Sequence, residues 1–290
     1  MNAAIQPARL GSKLPPRRRV GELLIAAGVL RPSDVQRIVA RQRENGRRFG
    51  ETAVELALVT EEQLARALAQ QVGYPCVEYG ASRLAHALAA AYEPFCAYSE
   101  ALRTLRSQLL MRWFGPKQRA VAVSSARHDE GSSLVAANLA VVFAQLGENT
   151  LLLDANLRAP VQHRLFGLDG RYGLADLIAF DASLEATLCK IDPFDKLTIM
   201  SAGAMPPNPQ EILSSAMFAD TLEKLALSFD VIIIDTPPLL EFADGAIVAQ
   251  RAGACVLSAR RHRTSALDLN RSKTLLGPTS ATLLGVVLHE

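Results

Sequence analysis

No apolar run in these 290 residues approaches the ~18–20 residues that a membrane-spanning helix needs. The N-terminus carries no apolar core of the kind a secretory signal requires. The four cysteines, Cys76, Cys96, Cys189 and Cys255, are scattered without metal-ligand or disulfide-framework spacing, as reduced thiols are. Excess charge of one sign is also missing. A net charge of +2 gives no bulk attraction to nucleic acid or an anionic membrane, so no nucleic-acid partner is expected. The basic excess is local, at Lys13 and Arg17–Arg19 and again at Arg41, Arg43, Arg47 and Arg48. These absences predict a soluble cytoplasmic protein.

Hydrophobic residues make up 49% of the chain, enough for one large α/β domain and a small one. Residues 1–18 read as a disordered tail. Residues 19–72 read as a small all-helical domain with an internal repeat. Arg19-Val20-Gly21, Leu24, Gly28, Val35, Val39 and Gln42 return 29 positions later as Arg48-Phe49-Gly50, Ala53, Ala57, Leu64, Leu68 and Gln71. Each copy predicts two helices, the second capped by Pro32-Ser33-Asp34 or Thr60-Glu61-Glu62. Residues 73–96, with Gly73, Pro75, Gly80 and Pro94, read as a linker holding a short helix.

From residue 97 to 290, amphipathic helices alternate with continuous β-branched runs. Helices are expected at 98–113, 132–146, 209–228 and near 264–276, and strands at 120–125, 151–154, 197–203, 231–235, 254–260 and 283–289. This pattern implies a doubly wound, mostly parallel sheet covered on both faces. Three polar strand ends then converge at its carboxyl edge, where open α/β sheets bind ligands. They are the 126–133 loop, Asp154 with Asn156, and Asp235 with Thr236-Pro237-Pro238.

The 126–133 segment has the spacing of a Walker A loop, G-x-x-x-x-G-K-[ST], with Ser132 at the lysine position and Ser133 at the magnesium-binding hydroxyl. Val231–Asp235, four apolar residues ending in a carboxylate, is Walker B-like and suits a magnesium contact. A strand-end aspartate is also an ordinary helix cap or turn former. The order and spacing of the three elements together favour the nucleotide reading.

LLLDANLRAPVQHRLFGL, VIIIDTPP, Asp244 and SAGAMPPNPQEIL resemble the bacterial tyrosine kinases of polysaccharide export. With the helical repeat attached, the chain resembles more closely still their EpsG-type, stand-alone members in exopolysaccharide operons. The resemblance implies a P-loop NTPase fold of MinD/ParA-like architecture. It also implies ATP and magnesium as cofactors, phosphoryl transfer to tyrosine, and a membrane chain-length determinant as partner, with the chain peripheral to the inner membrane. The roles carried over fall on Ser133, Asp154 and Asp235 for metal and catalysis, and on Arg127, Asp129, Glu130, Gly131, Ser132, Ser133, Leu134 and His289 for the nucleotide. Glu100, Arg103 and Arg106 match a family helix motif, Glu-x-x-Arg-x-x-Arg, that implies ring-like self-association; their other reading is a solvated face with i,i+3 ion pairs.

Departures from the family cluster at one place. Ser132 replaces the lysine, Asp129 a glycine, Asn156 the second acidic residue thought to activate the acceptor, and His289 an asparagine near the base. Losing a charge-assisted bond to phosphate costs roughly 1.5–3 kcal/mol. Asp129 adds on the order of 3 kcal/mol of repulsion if charges lie ~5 Å apart at an effective dielectric of 20. Together these predict ATP binding weaker by about three orders of magnitude. Arg127 offers a possible compensation toward phosphate, against the alternative of a solvated loop arginine. The five tyrosines form no C-terminal cluster, so no cis-autophosphorylating tail is expected.

The helical repeat resembles the N-terminal domain of type II secretion and pilus ATPases (MshEN-like), some of which bind cyclic di-GMP. That resemblance implies a site at Arg19, Gly21, Gly28, Gln42, Arg48, Gly50 and Gln71; the alternative is a docking module whose repeated apolar positions build its core. Three functions stand: a tyrosine kinase acting in trans on a degenerate ATP site, a pseudokinase adaptor sensing cyclic di-GMP, and a ParA/MinD-type placement ATPase. The last is disfavoured by Asp129 and the missing lysine.

Overall fold

The computed structural model describes residues 19–71, 73–180 and 182–290; the tail expected over 1–18 lies outside them. Two compact units divide at Tyr74 and Pro75. None of the described helices is long and apolar enough to cross a membrane.

The first unit holds α1 (Val20–Ala26), α2 (Pro32–Asn45), α3 (Phe49–Glu55) and α4 (Glu61–Gln71). Each starts with the same device, a side chain at the third helical position reaching back to a cap amide. Glu22, Asp34, Glu51 and Gln63 accept from the amides of Arg19, Arg31, Arg48 and Thr60 at 3.0–3.2 Å. The second-helix caps are thus Arg31 and Thr60, one residue before the segment expected from Pro32 and overlapping that expected from Thr60. Leu24, Leu30, Ile38, Ala53, Val59 and Ala67 form the core. Val39 and Leu68, repeated apolar positions expected inside, are exposed; their predecessors Ile38 and Ala67 face inward instead.

Both copies end their first helix in the same left-handed turn. Gly28 has φ +70° and Ala57 φ +52°. In each, the following amide bonds back into the helix, Val29 to Leu24 and Leu58 to Ala53, the pattern of a Schellman cap. No atom lies within 4 Å of where a Cβ on Gly28 would stand. Glycine is favoured there by its positive φ, not by close backbone approach.

The second unit begins with residues 75–96, expected as a linker. They are built into it: Leu88, Ala90, Ala91 and Tyr92 are fully buried, around α5 (Ala89–Tyr92). Proline and glycine mark turns here, but the apolar residues between them cover the next layer. That layer is α6 (Ala97–Arg112) and, after β1 (Ala120–Ser125), α7 (Ser132–Leu146). Asn138 and Gln145 on α7 bind the segment's main chain at Ala87, Ala90 and Pro75.

The chain continues through β2 (Thr150–Asp154), α8 (Gln162–Leu165), α9 (Leu174–Ala179), α10 (Leu184–Thr187), β3 (Leu188–Ile191) and β4 (Phe194–Met200). Then come α11 (Pro209–Ser214), α12 (Ala216–Ser228), β5 (Val231–Asp235), α13 (Asp244–Ala252), β6 (Ala254–Arg260), α14 (Ala266–Leu276) and β7 (Thr282–His289). The strands form one sheet ordered β3-β4-β2-β5-β1-β6-β7. All pairings are parallel except β3 with β4. Successive strand residues alternate between faces. Val231 and Ile233 pack with α5, α6 and α7, while Ile232 and Ile234 pack with α12 and α13. Burial of both faces is why these strands read as unbroken apolar runs.

Several elements differ from expectation. The helix expected over 209–228 breaks at Ser215, whose extended backbone lets its hydroxyl cap Phe218. The strand expected over 197–203 runs from Phe194 to Met200, because the main chain of Ser201 and Ala202 binds Leu174 and Ala175. Strand β3 and helices α8, α9, α10 and α13 have no counterpart among the expected elements.

Candidate nucleotide-binding site

The parallel strands bring β1, β2 and β5 side by side, so their carboxyl ends share one edge. The loop after β1 turns through two left-handed residues, Asp129 (φ +58°) and Gly131 (φ +74°), into the N-terminus of α7. Glu130 organises it. Its buried carboxylate accepts from the amides of Ala126 and Arg127 at 3.0 and 2.9 Å. Among the described residues, the amides of 129–134 find no acceptor, and they crowd at the positive end of the α7 dipole. Such a nest suits an anion. Leu134 contributes its amide, while its side chain packs on the core.

Asp154 and Asp235 occupy paired positions on β2 and β5, and both are fully buried. Burial, then the neighbouring Asp235, raises the Asp154 carboxyl well above its ordinary range. Burial raises Asp235 to about 6, against the opposing hydrogen bonds from Gln162 and Ser133. Asp154 accepts three main-chain amides, from Asn156, Val161 and Gln162. Asp235 accepts the Ser133 hydroxyl at 3.0 Å and the Gln162 amide at 2.7 Å. No arginine or lysine among the described residues pairs with either carboxylate. The Gln162 carbonyl oxygen is buried without a donor. Two adjacent acids, a hydroxyl and an acceptor lacking a donor fit a hydrated divalent cation. Ser133, Asp154 and Asp235, expected as metal ligands, are therefore brought together.

Other expected residues are used differently. The Arg127 guanidinium is committed to Asp268 on α14 through two bonds of 3.0 and 3.1 Å; that bonding raises its own pKa and lowers that of Asp268. Arg127 is thus neither aimed at phosphate nor freely solvated. The Asp129 carboxylate points outward, 77% exposed, and meets Arg263 at 3.1 Å. His128 binds Glu241 through both its amide and its ring. The Ser132 hydroxyl lies 3.4 Å from that of Ser125. Asn156 closes a turn, its side-chain oxygen accepting from Ala159 at 3.2 Å. His289 was expected near a base. Its Nε2 instead lies 2.8 Å from the Glu130 carbonyl and 2.9 Å from the Ser258 hydroxyl. Arg158 forms a bidentate pair with buried Asp244 and stacks on Phe242, 4.3 Å from the ring centre.

Sequence reasoning missed Gln162, Glu241, Ser258, Arg263 and Asp268. Only Gln162 had a signal, since it lies inside the segment that resembles the kinases.

The α6 trio is largely internal. Arg103 pairs with Glu100 at 3.0 Å, donates to the Pro94 carbonyl and lies over the Phe95 ring. Arg106 donates to the Val142 carbonyl at 2.6 Å. Only Glu100 is well exposed, at 67%.

In the first unit, Gly21 and Gly50 are packing positions, where an added Cβ would press on Phe49 and Leu64. The Gln42 amide donates to the Arg47 carbonyl, and Gln71 is the last residue of α4. Arg19 and Arg48 stand at equivalent helix starts, exposed and without an ion pair among the described residues.

A loop–helix nest, a hydroxyl and two strand-end carboxylates on a parallel sheet define the P-loop NTPase class, with a MinD/ParA-like fold. The ParA family profile (NUBPL iron-transfer P-loop NTPase) matches residues 117–289. The tyrosine-protein kinase YwqD of Bacillus subtilis (strain 168) is 34% identical over 208 residues, spanning 72% of this chain and 87% of that protein. The kinase domain of the Escherichia coli tyrosine kinase ETK aligns at TM-score 0.66 and 29% identity, over 70% of this chain and 79% of that one. MinD of Pyrococcus horikoshii OT3, solved with Mg-ADP, shares the fold alone, at TM-score 0.52 and 22% identity over 59% of this chain and 69% of that one. The chain belongs to the bacterial tyrosine-protein kinase family, built on a ParA-like P-loop NTPase domain.

Proposed function

We propose that this protein binds a magnesium–nucleoside phosphate weakly at the β1–α7 edge and acts as a degenerate kinase-family regulator of exopolysaccharide assembly. One observation carries the reading. The metal half of the site, Ser133, Asp154 and Asp235, is assembled, while Ser132 stands at the lysine position and Asn156 serves a turn. Bound magnesium would neutralise charge between the phosphates and the two carboxylates. The chain's own groups orient the phosphate through main-chain amides 129–134, but none of them replaces the acceptor-activating carboxylate.

Weak binding and lost transfer are separable. Calorimetry with ATP–Mg²⁺, paired with a phosphotyrosine assay on wild type and Asp235→Ala, tests both. The expected result is an affinity weaker than ~100 μM and no phosphotyrosine. Micromolar affinity with phosphotyrosine that disappears in Asp235→Ala refutes the degenerate reading and makes the chain an active kinase. Phosphotyrosine surviving in that variant refutes the site itself.

The family supports a cytoplasmic place beneath a membrane chain-length determinant of a polysaccharide export system, and self-association. Because Arg103 and Arg106 are tied internally, sizing should compare wild type with Glu100→Ala, the outward member. Identical monomeric profiles remove the ring.

A second reading, cyclic di-GMP binding by the helical unit, is favoured by Arg19 and Arg48 at repeated helix starts, both exposed and without an ion pair among the described residues. Paired cations at helix N-termini suit a flat dianionic dinucleotide. No heat of binding up to ~100 μM leaves only a docking module.

A further inference from the structure

The carbonyl of Glu130 is held from behind the P-loop by two side chains that are far away in sequence. Ser258, fully buried on β6, donates its hydroxyl at 2.9 Å. His289, the last residue of β7, approaches with Nε2 at 2.8 Å. A carbonyl only accepts, so this nitrogen carries its hydrogen at the contact. The ring also stands against Gly131, where a Cβ would fall 2.4 Å from Cε1.

The Glu130–Gly131 peptide is trans, and in a trans peptide the carbonyl and the following N–H point to opposite sides. Anchoring the Glu130 oxygen on β6 and β7 therefore turns the Gly131 N–H away from Ser258 and His289. Meanwhile the Glu130 carboxylate occupies the amides of Ala126 and Arg127. The loop is thus closed on one arm by the Glu130 side chain and oriented on the other by its carbonyl. With no lysine at Ser132, the phosphate must rely on main-chain amides and metal.

We propose that His289 is a positioning residue for phosphate recognition: with Ser258 it sets the Glu130–Gly131 peptide so that the Gly131 amide faces a bound nucleoside phosphate. This rests on the nucleotide-site reading above.

The test titrates the full chain with ADP–Mg²⁺ by calorimetry and follows the ¹⁵N-labelled Gly131 amide by NMR. His289→Leu removes the donor and should weaken ADP about tenfold, the usual effect of one lost hydrogen bond. His289→Gln keeps an N–H at similar reach and should stay within about threefold of wild type. The ADP-induced shift of the Gly131 amide should vanish in the leucine variant and return in the glutamine variant. Ser258→Ala, a smaller change, should weaken ADP in the same direction if His289→Leu does not fold. Equal ADP affinity in wild type, His289→Leu and Ser258→Ala overturns the positioning role and leaves the nucleotide reading standing. Absence of ADP binding by wild type and by Ser132→Lys up to ~1 mM overturns both.

Discussion

Replacing Ser132 with lysine restores the charge that the loop lacks, and the structure sets the size of the effect. Ser132 opens α7, and its hydroxyl makes a single 3.4 Å contact with Ser125, at the outer limit of a hydrogen bond, so little is lost by removing it. A charge-assisted bond to phosphate contributes roughly 1.5–3 kcal/mol, or about 10- to 100-fold in affinity. The sequence estimate gave Asp129 a comparable opposing effect. Its carboxylate, however, is 77% exposed and paired with Arg263 at 3.1 Å. A screened, neutralised charge of that kind is worth less than about 1 kcal/mol. Ser132→Lys should therefore tighten ATP–Mg²⁺ by about 10- to 100-fold, and Asp129→Gly by less than about fivefold. Titration calorimetry at fixed ionic strength measures both. If Asp129→Gly tightens binding more than Ser132→Lys, or if a folded lysine variant binds no better than wild type, the reasoning is refuted. Phosphotyrosine should still require Asn156→Asp in addition, because an amide cannot take the acceptor's proton. An aspartate there can keep the bond from Ala159.

Ala57→Gly relieves a left-handed alanine and should stabilise the helical unit by about 1 kcal/mol; chemical denaturation followed on α3 reads it, and no gain would refute the strain argument. Arg158→Ala leaves the fully buried Asp244 without its partner and should cost about 3 kcal/mol. A melting shift equivalent to under ~1 kcal/mol would contradict a buried pair of that kind. The pH dependence follows from the raised carboxyls of Asp154 and Asp235. A raised native pKa means that the folded state holds a proton that the unfolded chain has released. In EDTA, wild-type stability relative to Asp235→Asn should therefore be fully present below about pH 4 and fall as pH rises through about 6. Urea midpoints across that range check it, and a difference that grows with pH would reverse the sign.

Much of the fold was legible because local pattern and tertiary role agree. Strands 120–125, 231–235 and 254–260 and helix 132–146 match to the residue. Each strand is buried on both faces and each apolar run ends at a polar or glycine position. Strand β3 escaped because it is a short edge strand with one poorly covered face. The 75–96 segment was misread because glycine and proline report turns and say nothing about what the residues between them cover. The convergence of Ser133, Asp154 and Asp235 at one sheet edge was legible because each sits at a fixed offset from a strand end.

The sequence by itself determined the parallel α/β architecture, the helical repeat and the location of the P-loop, since these follow from periodicity and spacing along the chain. Only the tertiary structure decided what the loop's side chains do. Arg127 meets Asp268, Asp129 meets Arg263, His128 meets Glu241 and His289 meets Glu130, each across more than 100 residues. Such partners are chosen by the sheet order, which sets β5 and β6 on either side of β1 and β7 beyond β6. An ion pair or hydrogen bond depends on distance in space, and no spacing along the chain encodes it.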